Sequence, residues 1–512
     1  MISDDCEHRI EVNNLKHGEI VQHTLLLIKG HIRQLRPLKK CVEQQIHLHV
    51  KYNSSLESTP WELEQQSQIS RNGQFKLLCD LGQHVPVTGN YRKLPLQLHF
   101  CYCNSVLHIE ILYECPTNNY LLQALYIKCS NQHTKDEEVR ACFDKINLNL
   151  RLVQSVYADQ LRAAAYGRST FTLNGDCKVF ETQLTCEEVW QLNEESLWQN
   201  FAEEILNSSA WGGEDKLKFV AFIGCTKYDA AAIAASGDFS YANIRRNLKG
   251  HAALGGGGLA LFGAAYLYAW PRYCKDINAY FGSTEKVDPT QLPDDSNYRC
   301  TYGGVYATTL GAVVHEIGHT FDLGHTIDGV MGNGFDYINR VFTIDNLTEH
   351  LPDRVIERTA HALNVQVAER PRFTQLKRST NKFLEKYHEQ KTSDPFYFTR
   401  NCAIILAHNK WFKNCRTNGD VFDLATVETL LKYDPADKCV ISGESKHALC
   451  LIEVRTVDKS LVKYWYEPSK SDSLIYKFHL PQEAIEALEK DHYLFVLTRS
   501  GVAKRLCEPR NC

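Results

Sequence analysis

The chain lacks a strong excess of charge of either sign and a long uninterrupted apolar segment. Its 512 residues carry a formal net charge of −4, so no basic surface for nucleic acid is predicted. The longest uncharged run, Ala252–Pro271, contains four consecutive glycines and ends in proline. This composition favours a buried strand over a membrane helix. We therefore expect neither a nucleic-acid partner nor a membrane span, and the sequence makes no prediction of oligomeric state.

The chain also lacks paired cysteines of the CxxC type, although it has 19 cysteines in all. An odd number of scattered thiols is typical of reduced side chains in the cytosol rather than of a disulfide framework. The amino terminus, MISDDCEHRIEVNN, has no basic start followed by an apolar core, as a secretory signal would have. A cytoplasmic location is the expectation.

The length predicts several domains, because a single core rarely extends beyond about 250–300 residues. Residues 1–115 contain three stretches that alternate apolar and polar side chains, and they predict an antiparallel β-sandwich. The stretches are Ile46–Tyr52, Leu96–Tyr102 and Leu107–Tyr113. Four histidines fall on their polar positions, either as solvated sheet residues or as a cross-strand metal cluster. They are His47, His49, His99 and His108.

The rest of the chain predicts a multidomain α+β protein. Residues 116–350 are assigned to an α+β domain, residues 351–394 to a helical connection and residues 395–512 to a β-rich domain. The predicted elements are a helix from a Thr134–Glu137 capping box to Gly167, buried strands over Leu217–Cys225 and Leu259–Trp270, a helix over Val305–Asp322, a helix near Leu424–Tyr433, two strands around Asp458–Ser460, and a strand over Asp491–Arg499.

One stretch, HEIGHTFDLGH at residues 315–325, concentrates three histidines and one glutamate. On a helix, His315 and His319 lie one turn apart and point the same way within about 40°. Two imidazoles so placed can both reach one zinc ion. Glu316 is rotated off the histidine stripe, where it can contact a water on the metal. This is the H-E-x-x-H arrangement, which also arises by chance in helices.

His325 lies six residues beyond His319, about 240° around a continued helix, so it can join only if the chain turns back. Asp322 tolerates a left-handed backbone and Gly324 adopts one freely. We therefore predict a positive φ at Asp322 and one zinc ion per chain held by three histidines, with the fourth position open for water. Met331, the only methionine after the first residue, follows among turn-forming residues.

These residues resemble the metzincins, zinc peptidases that share H-E-x-x-H-x-x-G-x-x-H and a methionine-containing turn beneath the metal. The three histidines and the glutamate match, and Met331 matches the turn, whereas Asp322 stands where the motif has glycine. With GVMGNGFDYINRVFT and GGGGLALFG, the chain resembles an uncharacterised eukaryotic family classed as zinc metallopeptidases, over about residues 130–410. The resemblance implies a zincin catalytic domain in which Met331 packs under the imidazoles without binding zinc.

The predicted function is zinc-dependent endopeptidase activity on protein or peptide substrates. Zinc lowers the pKa of its water toward ~7, and Glu316 is assigned as the general base that later protonates the leaving amine. Tyr337 and Arg340 are candidates for stabilising the oxyanion because they follow the methionine turn. The resemblance also implies an edge strand above the cleft that pairs with extended substrate. Its residues are Gly257, Gly258, Leu259 and Ala260.

Three alternatives accompany this prediction. The glycine run could cradle phosphate, although no Lys-Ser/Thr follows it. The zinc domain could be a catalytically weak scaffold whose flanking β domains bind a protein or glycan partner. The site could also hydrolyse a non-peptide amide, which only substrate profiling would distinguish. The presence of Glu316 favours catalysis, because a scaffold needs no general base.

Overall fold

The computed structural model describes residues 7–35, 41, 43–52, 61–85, 93–213, 215–297, 299–344, 396–413, 431–442, 447–468 and 474–507. The helical connection predicted for residues 351–394 lies outside these ranges, as does most of the helix predicted near Leu424–Tyr433. The described residues form a multidomain, mixed α/β chain with several sheets.

The amino-terminal strands form two sheets that share one buried apolar cluster. Strands β1, β3 and β6 form one sheet; the other has the order β2-β8-β7-β4-β5, with β2 parallel to β8. The three strands predicted by alternation are confirmed as β4, β7 and β8. The bounds are β1 His8–Val12, β2 Glu19–Val21, β3 Leu25–Gln34, β4 Gln45–Tyr52, β5 Trp61–Gln68, β6 Gln74–Asp80, β7 Leu94–Tyr102 and β8 Ser105–Tyr113.

The histidines of these strands are in register across the sheet. His49 lies opposite His99 on the neighbouring strand, and His99 lies opposite His108 on the next. The rings of His99 and His108 meet edge to face, with centroids 4.4 Å apart. Within the described part of the chain, their nitrogens do not converge into a group that could share a metal ion. Three of the four side chains are half-buried and that of His108 is exposed, and their arrangement does not favour the metal cluster.

The central sheet is mostly parallel, which corrects the predicted α+β arrangement. Its order is β10-β9-β12-β16-β15, with β11 also paired to β9; β15 is antiparallel to β16 and the other pairings are parallel. Helices and long loops between the strands return the chain to the end of the sheet where the previous strand began, so successive strands run in one direction. The bounds are β9 Leu121–Lys128, β10 Thr172–Leu173, β11 Lys178–Glu181, β12 Leu217–Ile223, β13 Lys227–Tyr228, β14 Leu248–Lys249, β15 Ala253–Gly256 and β16 Leu259–Gly263.

The strand predicted over Leu259–Trp270 is correct only in its first part. Strand β16 ends at Gly263, and Ala264–Ala269 form a 3-10 helix. Gly263 is the last residue of β16 opposite β12, where it faces Ile223. Beyond that point the described sheet offers the strand no ladder partner, so the extended conformation is not continued.

Eight α-helices belong to the described central region. Their bounds are α1 Asp136–Ala163, α2 Cys186–Gln191, α3 Glu194–Asn207, α4 Ala230–Ser236, α5 Tyr241–Arg246, α6 Ile277–Phe281, α7 Tyr302–Thr320 and α8 Asn339–Phe342. The predicted capping box of α1 is wrong, because Lys135 occupies the N-cap without a side-chain bond. Thr134 lies one residue too early and accepts a hydrogen bond from Gln132 instead.

Buried polar contacts fix α7 against α1. The Tyr157 hydroxyl donates to the Val314 carbonyl at 2.8 Å, and the Tyr306 hydroxyl donates to Asn149 Oδ1 at 2.6 Å. All four groups are inaccessible to water, so each bond satisfies polar atoms that would otherwise be costly to bury. Helix α7 is therefore held in a fixed position within the core.

The carboxyl-terminal residues form two further sheets, β17-β18-β21 and β20-β19-β22-β23. The two strands predicted around Asp458–Ser460 are confirmed as β19 and β20, and the strand predicted over Asp491–Arg499 as β22. The end of the helix predicted near Leu424–Tyr433 is wrong, because β17 begins at Lys432. The bounds are α9 Arg400–His408, α10 Gln482–Leu488, β17 Lys432–Asp434, β18 Cys439–Ile441, β19 Leu449–Thr456, β20 Val462–Tyr466, β21 Lys477–His479, β22 His492–Thr498 and β23 Ala503–Leu506.

None of the helices in the described ranges combines the length and the apolarity that crossing a bilayer requires.

Candidate active site

Helix α7 carries the HEIGH residues into the core. Thr301 caps its amino end by accepting a hydrogen bond from the Gly304 backbone N–H at 3.0 Å. Nearly all of its side chains are buried, because the helix packs against the central sheet on one side and the segment after Met331 on the other. A Cβ at Gly311 would overlap the Phe335 carbonyl, so glycine allows this second contact.

The three histidines of the motif bring their Nε2 atoms together. The Nε2 of His319 lies 3.1 Å from that of His315 and 3.2 Å from that of His325. Three nitrogens bound to one zinc ion at about 2.0–2.1 Å in tetrahedral geometry would lie about 3.3–3.4 Å apart. The spacing of the imidazoles therefore fits a zinc ion at their centre.

Each imidazole is oriented by a hydrogen bond from its other nitrogen to a backbone carbonyl. Nδ1 of His315 lies 2.8 Å from the Val330 oxygen, and Nδ1 of His319 lies 2.9 Å from the Leu323 oxygen. Since a carbonyl oxygen only accepts, each Nδ1 must carry the proton. In its neutral form, each ring with its proton on Nδ1 presents the Nε2 lone pair, which is the form that binds metal.

The third histidine is oriented by the carboxyl-terminal region. Nδ1 of His325 donates to the Lys459 carbonyl at 2.5 Å. The backbone N–H of His325 donates to the Ser460 carbonyl at 3.1 Å, and its own carbonyl accepts from the Val462 N–H at 2.9 Å. The turn between β19 and β20 thus positions a motif residue from more than 130 positions away, a contact that the sequence pattern did not predict.

The chain turns back toward His315 and His319 through a Schellman motif at the end of α7. The N–H of Leu323 bonds to the Gly318 carbonyl at 3.1 Å, and the N–H of Asp322 bonds to the His319 carbonyl at 3.2 Å. Asp322 has a φ of 69°, which confirms the predicted left-handed conformation. The expectation for Gly324 is wrong, because its φ is not positive. Glycine is needed at this position for lack of space instead, since a Cβ there would lie 2.6 Å from the Ser460 oxygen.

Glu316 is buried beside the imidazoles, with 5% of its surface exposed. Its Oε2 accepts a hydrogen bond from the Gly255 backbone N–H at 2.8 Å. A Cβ at Gly255 would overlap the Glu316 carbonyl, so only glycine lets β15 approach α7 this closely. This contact accounts for one glycine of the GGGG run, and a turn with φ of 50° accounts for Gly257.

The edge of the sheet is one strand away from the predicted position. Strand β15, from Ala253 to Gly256, is the edge, whereas β16 is hydrogen-bonded on both sides. The backbone N–H of Ala253 donates to Glu194 Oε1 at 2.7 Å. Of the predicted edge residues, Gly257 and Gly258 form the turn, and Leu259 and Ala260 begin the interior strand β16. The hairpin, which a glycine run alone does not reveal, is the reason for this error.

Tyr337 and Arg340 are not brought into the cleft. Both are at least 95% buried, and the Arg340 guanidinium stacks on the Tyr337 ring at 4.3 Å from its centroid. The Arg340 carbonyl accepts a hydrogen bond from Lys76 of the amino-terminal sheet. Neither residue is among those that line the cavity above the imidazoles. Their contacts are those of packing residues, and the prediction for the oxyanion is not supported by their positions.

Met331 is buried against α7, with 1% of its surface exposed. A Cβ at Gly318 would lie 2.7 Å from the Met331 sulfur, so glycine leaves room for the methionine directly before His319 on the helix. The neighbouring Val330 carbonyl is the partner of His315. The turn at Met331 therefore supports the histidine region both by packing and through a backbone bond.

A cavity of about 470 Å³ opens above the imidazoles. Strand β15 and two glutamates of α3, Glu194 and Glu195, line one side. Carboxyl-terminal residues, among them Lys459 and Arg505, line the other side. Of the predicted substrate-binding residues, Gly257 lines this cavity. Sequence reasoning missed Glu194, Glu195 and the carboxyl-terminal wall, because none of them lies near the motif in the chain.

Arg455 joins the carboxyl-terminal wall to the turn after α7. It is 2% exposed, bonds to the fully buried Glu453 at 2.7 Å, and donates to the Asp322 carbonyl at 2.9 Å. The ion pair satisfies both buried charges. The bond from Arg455 to the Asp322 carbonyl connects the carboxyl-terminal sheet that contains β19 to the Schellman motif. The sequence offered no signal for this residue.

Three converging imidazoles with a buried glutamate beside them, below an open cavity, are the side-chain set of H-E-x-x-H metallopeptidases. A family model described as "Putative peptidase family" matches residues 9–410, and the chain belongs to that family.

Two yeast proteins with curated names match parts of the chain. A protein of Saccharomyces cerevisiae named as a putative zinc metalloproteinase is 39% identical over 99 residues, which are 19% of this chain and 14% of that protein. One of Schizosaccharomyces pombe with the same description is 32% identical over 110 residues, 21% of this chain and 18% of that protein. The matched segments thus span less than a fifth of either relative's length.

Among solved structures, wild-type OgpA from Akkermansia muciniphila matches at a TM-score of 0.39 with 11% identity, over 76% of this chain and 92% of that one.

Proposed function

We propose that the protein is a zinc-dependent endopeptidase whose catalytic domain, of the metzincin-type zincin class, spans residues 116–350. The observation that carries the proposal is the convergence of three Nε2 atoms beside the buried carboxylate of Glu316. The left-handed Asp322 and the buried Met331 support the metzincin assignment. In this proposal the amino-terminal sheets and the carboxyl-terminal sheets are flanking β domains.

His315, His319 and His325 would hold one zinc ion through Nε2. When bound, zinc supplies a Lewis acid that polarises the scissile carbonyl and lowers the pKa of its water toward ~7. The carbonyl partners of the three Nδ1 atoms hold the rings in fixed orientations with Nε2 toward the ion, so little reorganisation accompanies binding.

Glu316 acts as general base and then as general acid. It removes a proton from the attacking water and delivers it to the nitrogen of the departing amine, so the carboxylate is regenerated in each turnover. The Gly255 N–H bonds to Oε2 at 2.8 Å and holds the carboxylate in one orientation. Burial keeps bulk water from competing for that proton.

An extended peptide would bind along β15, the edge of the central sheet. Along this edge the N–H groups of Ala253 and Gly255 are bonded to Glu194 and Glu316, so other main-chain groups would recognise the substrate backbone, without selecting its side chains. The cavity wall extends from Ala253 to Gly257, on both sides of the Glu316 contact at Gly255. This extension favours endopeptidase activity, because a chain can continue in both directions from the reacting bond.

The test compares the zinc-loaded wild-type protein with Glu316→Gln on a library of quenched fluorescent peptides. Glutamine keeps the size of the side chain but cannot accept the proton, so we expect a loss of about 10²–10⁴-fold with zinc content unchanged. Glu203→Gln, the same change on the exposed face of α3, is the matched control and should remain active.

Activity of Glu316→Gln within a few-fold of the wild type would contradict the assigned role. A zinc-loaded wild-type protein that cleaves no peptide of the library would favour the scaffold alternative, in which the β domains bind a protein or glycan.

A further inference from the structure

Three cysteines outside the active-site cavity bring their thiols together. Cys129 follows β9, Cys225 follows β12, and Cys186 is the first residue of α2. Their Sγ atoms all lie within 4.8 Å of one another, and those of Cys129 and Cys225 are 3.1 Å apart. A disulfide requires about 2.05 Å, so these are three separate thiols.

Sheet pairing brings two of these cysteines side by side. Strands β9 and β12 are parallel neighbours in register, with Ile127 opposite Ile223. Cys129 and Cys225 each lie two residues beyond that pair. The bond from the Gly224 N–H to the Ile127 carbonyl, 2.9 Å long, extends the ladder to the cysteines. The two cysteines therefore lie side by side at the carboxyl ends of adjacent parallel strands.

Side-chain hydrogen bonds hold the backbone of each cysteine. The Cys186 N–H donates to Asn131 Oδ1 at 2.8 Å, the Cys129 N–H donates to Gln132 Oε1 at 3.2 Å, and the Cys225 carbonyl accepts from Trp190 Nε1 at 2.6 Å. Two of these partners, Asn131 and Gln132, lie in one short segment after β9. The cluster is therefore pre-organised without any ligand.

Apolar packing alone does not account for the arrangement of the sulfurs. Cys129 and Cys225 are 2% and 7% exposed within an apolar cluster, as small hydrophobic side chains would be. Packing gives no reason for three sulfurs from three segments to converge, since Val or Ala would fill the same space. Convergence of thiols is what a soft metal ion requires.

We propose that Cys129, Cys186 and Cys225 form a second metal site, which binds zinc as three thiolates. With Zn–S bonds of about 2.3 Å, tetrahedral sulfurs lie about 3.8 Å apart, within the range that the three sulfurs span. Binding exchanges three thiol protons for one Zn²⁺ and changes no oxidation state. Half-buried Cys186 leaves the fourth coordination position to water.

The ion at this site connects the ends of β9 and β12 to the start of α2. It is independent of the proposed peptidase site, whose nitrogen ligands come from α7 and the turn after it. Zinc content would therefore rise from the one ion expected at the histidines to two.

The test is a two-by-two comparison of zinc content on the full chain, purified under reducing conditions without chelator. We expect about two ions in the wild type, about one in His319→Ala, about one in Cys129→Ser and essentially none in the double variant. Cys177→Ser replaces a buried cysteine outside the cluster and should keep about two.

The pattern distinguishes the two proposals. About one ion in the wild type, lost in His319→Ala and kept in Cys129→Ser, overturns the cysteine site and leaves the histidine site intact. Zinc that is unchanged in His319→Ala overturns the histidine ligands, while Cys129→Ser still tests the cysteines. A Cys129–Cys225 disulfide in the reduced, zinc-supplied protein also overturns the second site.

A second measurement avoids reliance on a folded Cys129→Ser variant. In His319→Ala protein, alkylation of half-buried Cys186 should slow about tenfold or more when zinc is added, because the ligated thiolate is no longer free to react. An alkylation rate that does not respond to zinc overturns the proposal.

Discussion

Substitutions at Asp322 test whether a left-handed residue at the end of α7 is what brings His325 to His315 and His319. Its φ is 69°, and its N–H and carbonyl are bonded to the His319 carbonyl and the Arg455 guanidinium. The carboxylate has no ring to orient, because each imidazole Nδ1 donates to a backbone carbonyl. We expect backbone conformation, not charge, to matter at this position.

The magnitudes follow from the conformation. An ordinary L-residue pays roughly 1–2 kcal/mol for left-handed backbone, which Gly avoids and which Asn and Asp pay only in part. Asp322→Gly and Asp322→Asn should therefore change stability by less than about 1 kcal/mol. Asp322→Val places a β-branched side chain at positive φ and should cost about 1–3 kcal/mol. The Schellman bonds break first in that variant, so His325 should lose its position.

The assay is zinc affinity by chelator competition, with thermal unfolding and peptidase rate measured on the same samples. Asp322→Gly and Asp322→Asn should keep the wild-type affinity, while Asp322→Val should lose about 10–100-fold or more. Asp322→Asn is the matched control, because it removes the charge but tolerates the same backbone. A 10–100-fold loss in both Asp322→Gly and Asp322→Asn would refute the reasoning and assign the function to the carboxylate.

Three further outcomes are expected. Gly255→Ala should push β15 away from Glu316 and lower peptidase activity about 10²-fold with zinc retained, whereas Gly258→Ala, which meets nothing within 4 Å and lies in the turn outside the cavity lining, should not; equal rates would contradict the close-approach argument. Met331→Leu should keep zinc and lose about 1 kcal/mol of stability, and complete zinc loss in the folded variant would count against packing. Burial lowers the pKa of Lys218 to about 8 from 10.5, so the unfolded state binds more protons between these values. Stability should therefore rise with pH from 8 toward 10.5 in the wild type but less so in Lys218→Met, and identical pH profiles in chemical unfolding would exclude this.

Local patterns in the sequence predicted the parts of the site that depend on neighbouring residues. The four-residue spacing of His315 and His319 fixes their common face, because helix geometry depends on spacing alone. The turn at Asp322 was predictable since few residues other than glycine tolerate positive φ. Alternation predicted β4, β7 and β8 for the same reason, because period two exposes one face of a strand.

The capping box at Thr134 and the edge strand at Leu259 and Ala260 show where local patterns mislead. A Thr-x-x-Glu spacing forms a capping box only when the helix begins directly after the threonine, and here Lys135 is the N-cap instead. A glycine run can be a turn, a strand or a close contact, and here it is all three. Which strand lies at the edge depends on pairing between segments far apart in sequence.

The sequence by itself determined the helix, the spacing of the three histidines and the point where the chain turns back, since these follow from backbone geometry over a few residues. Only the tertiary structure decided that Lys459 and Ser460 hold His325, that Gly255 holds Glu316, and that Tyr337 and Arg340 are packed away from the cleft. Contacts across more than 100 residues depend on which surfaces bury each other, and that is a property of the whole chain that no short spacing encodes.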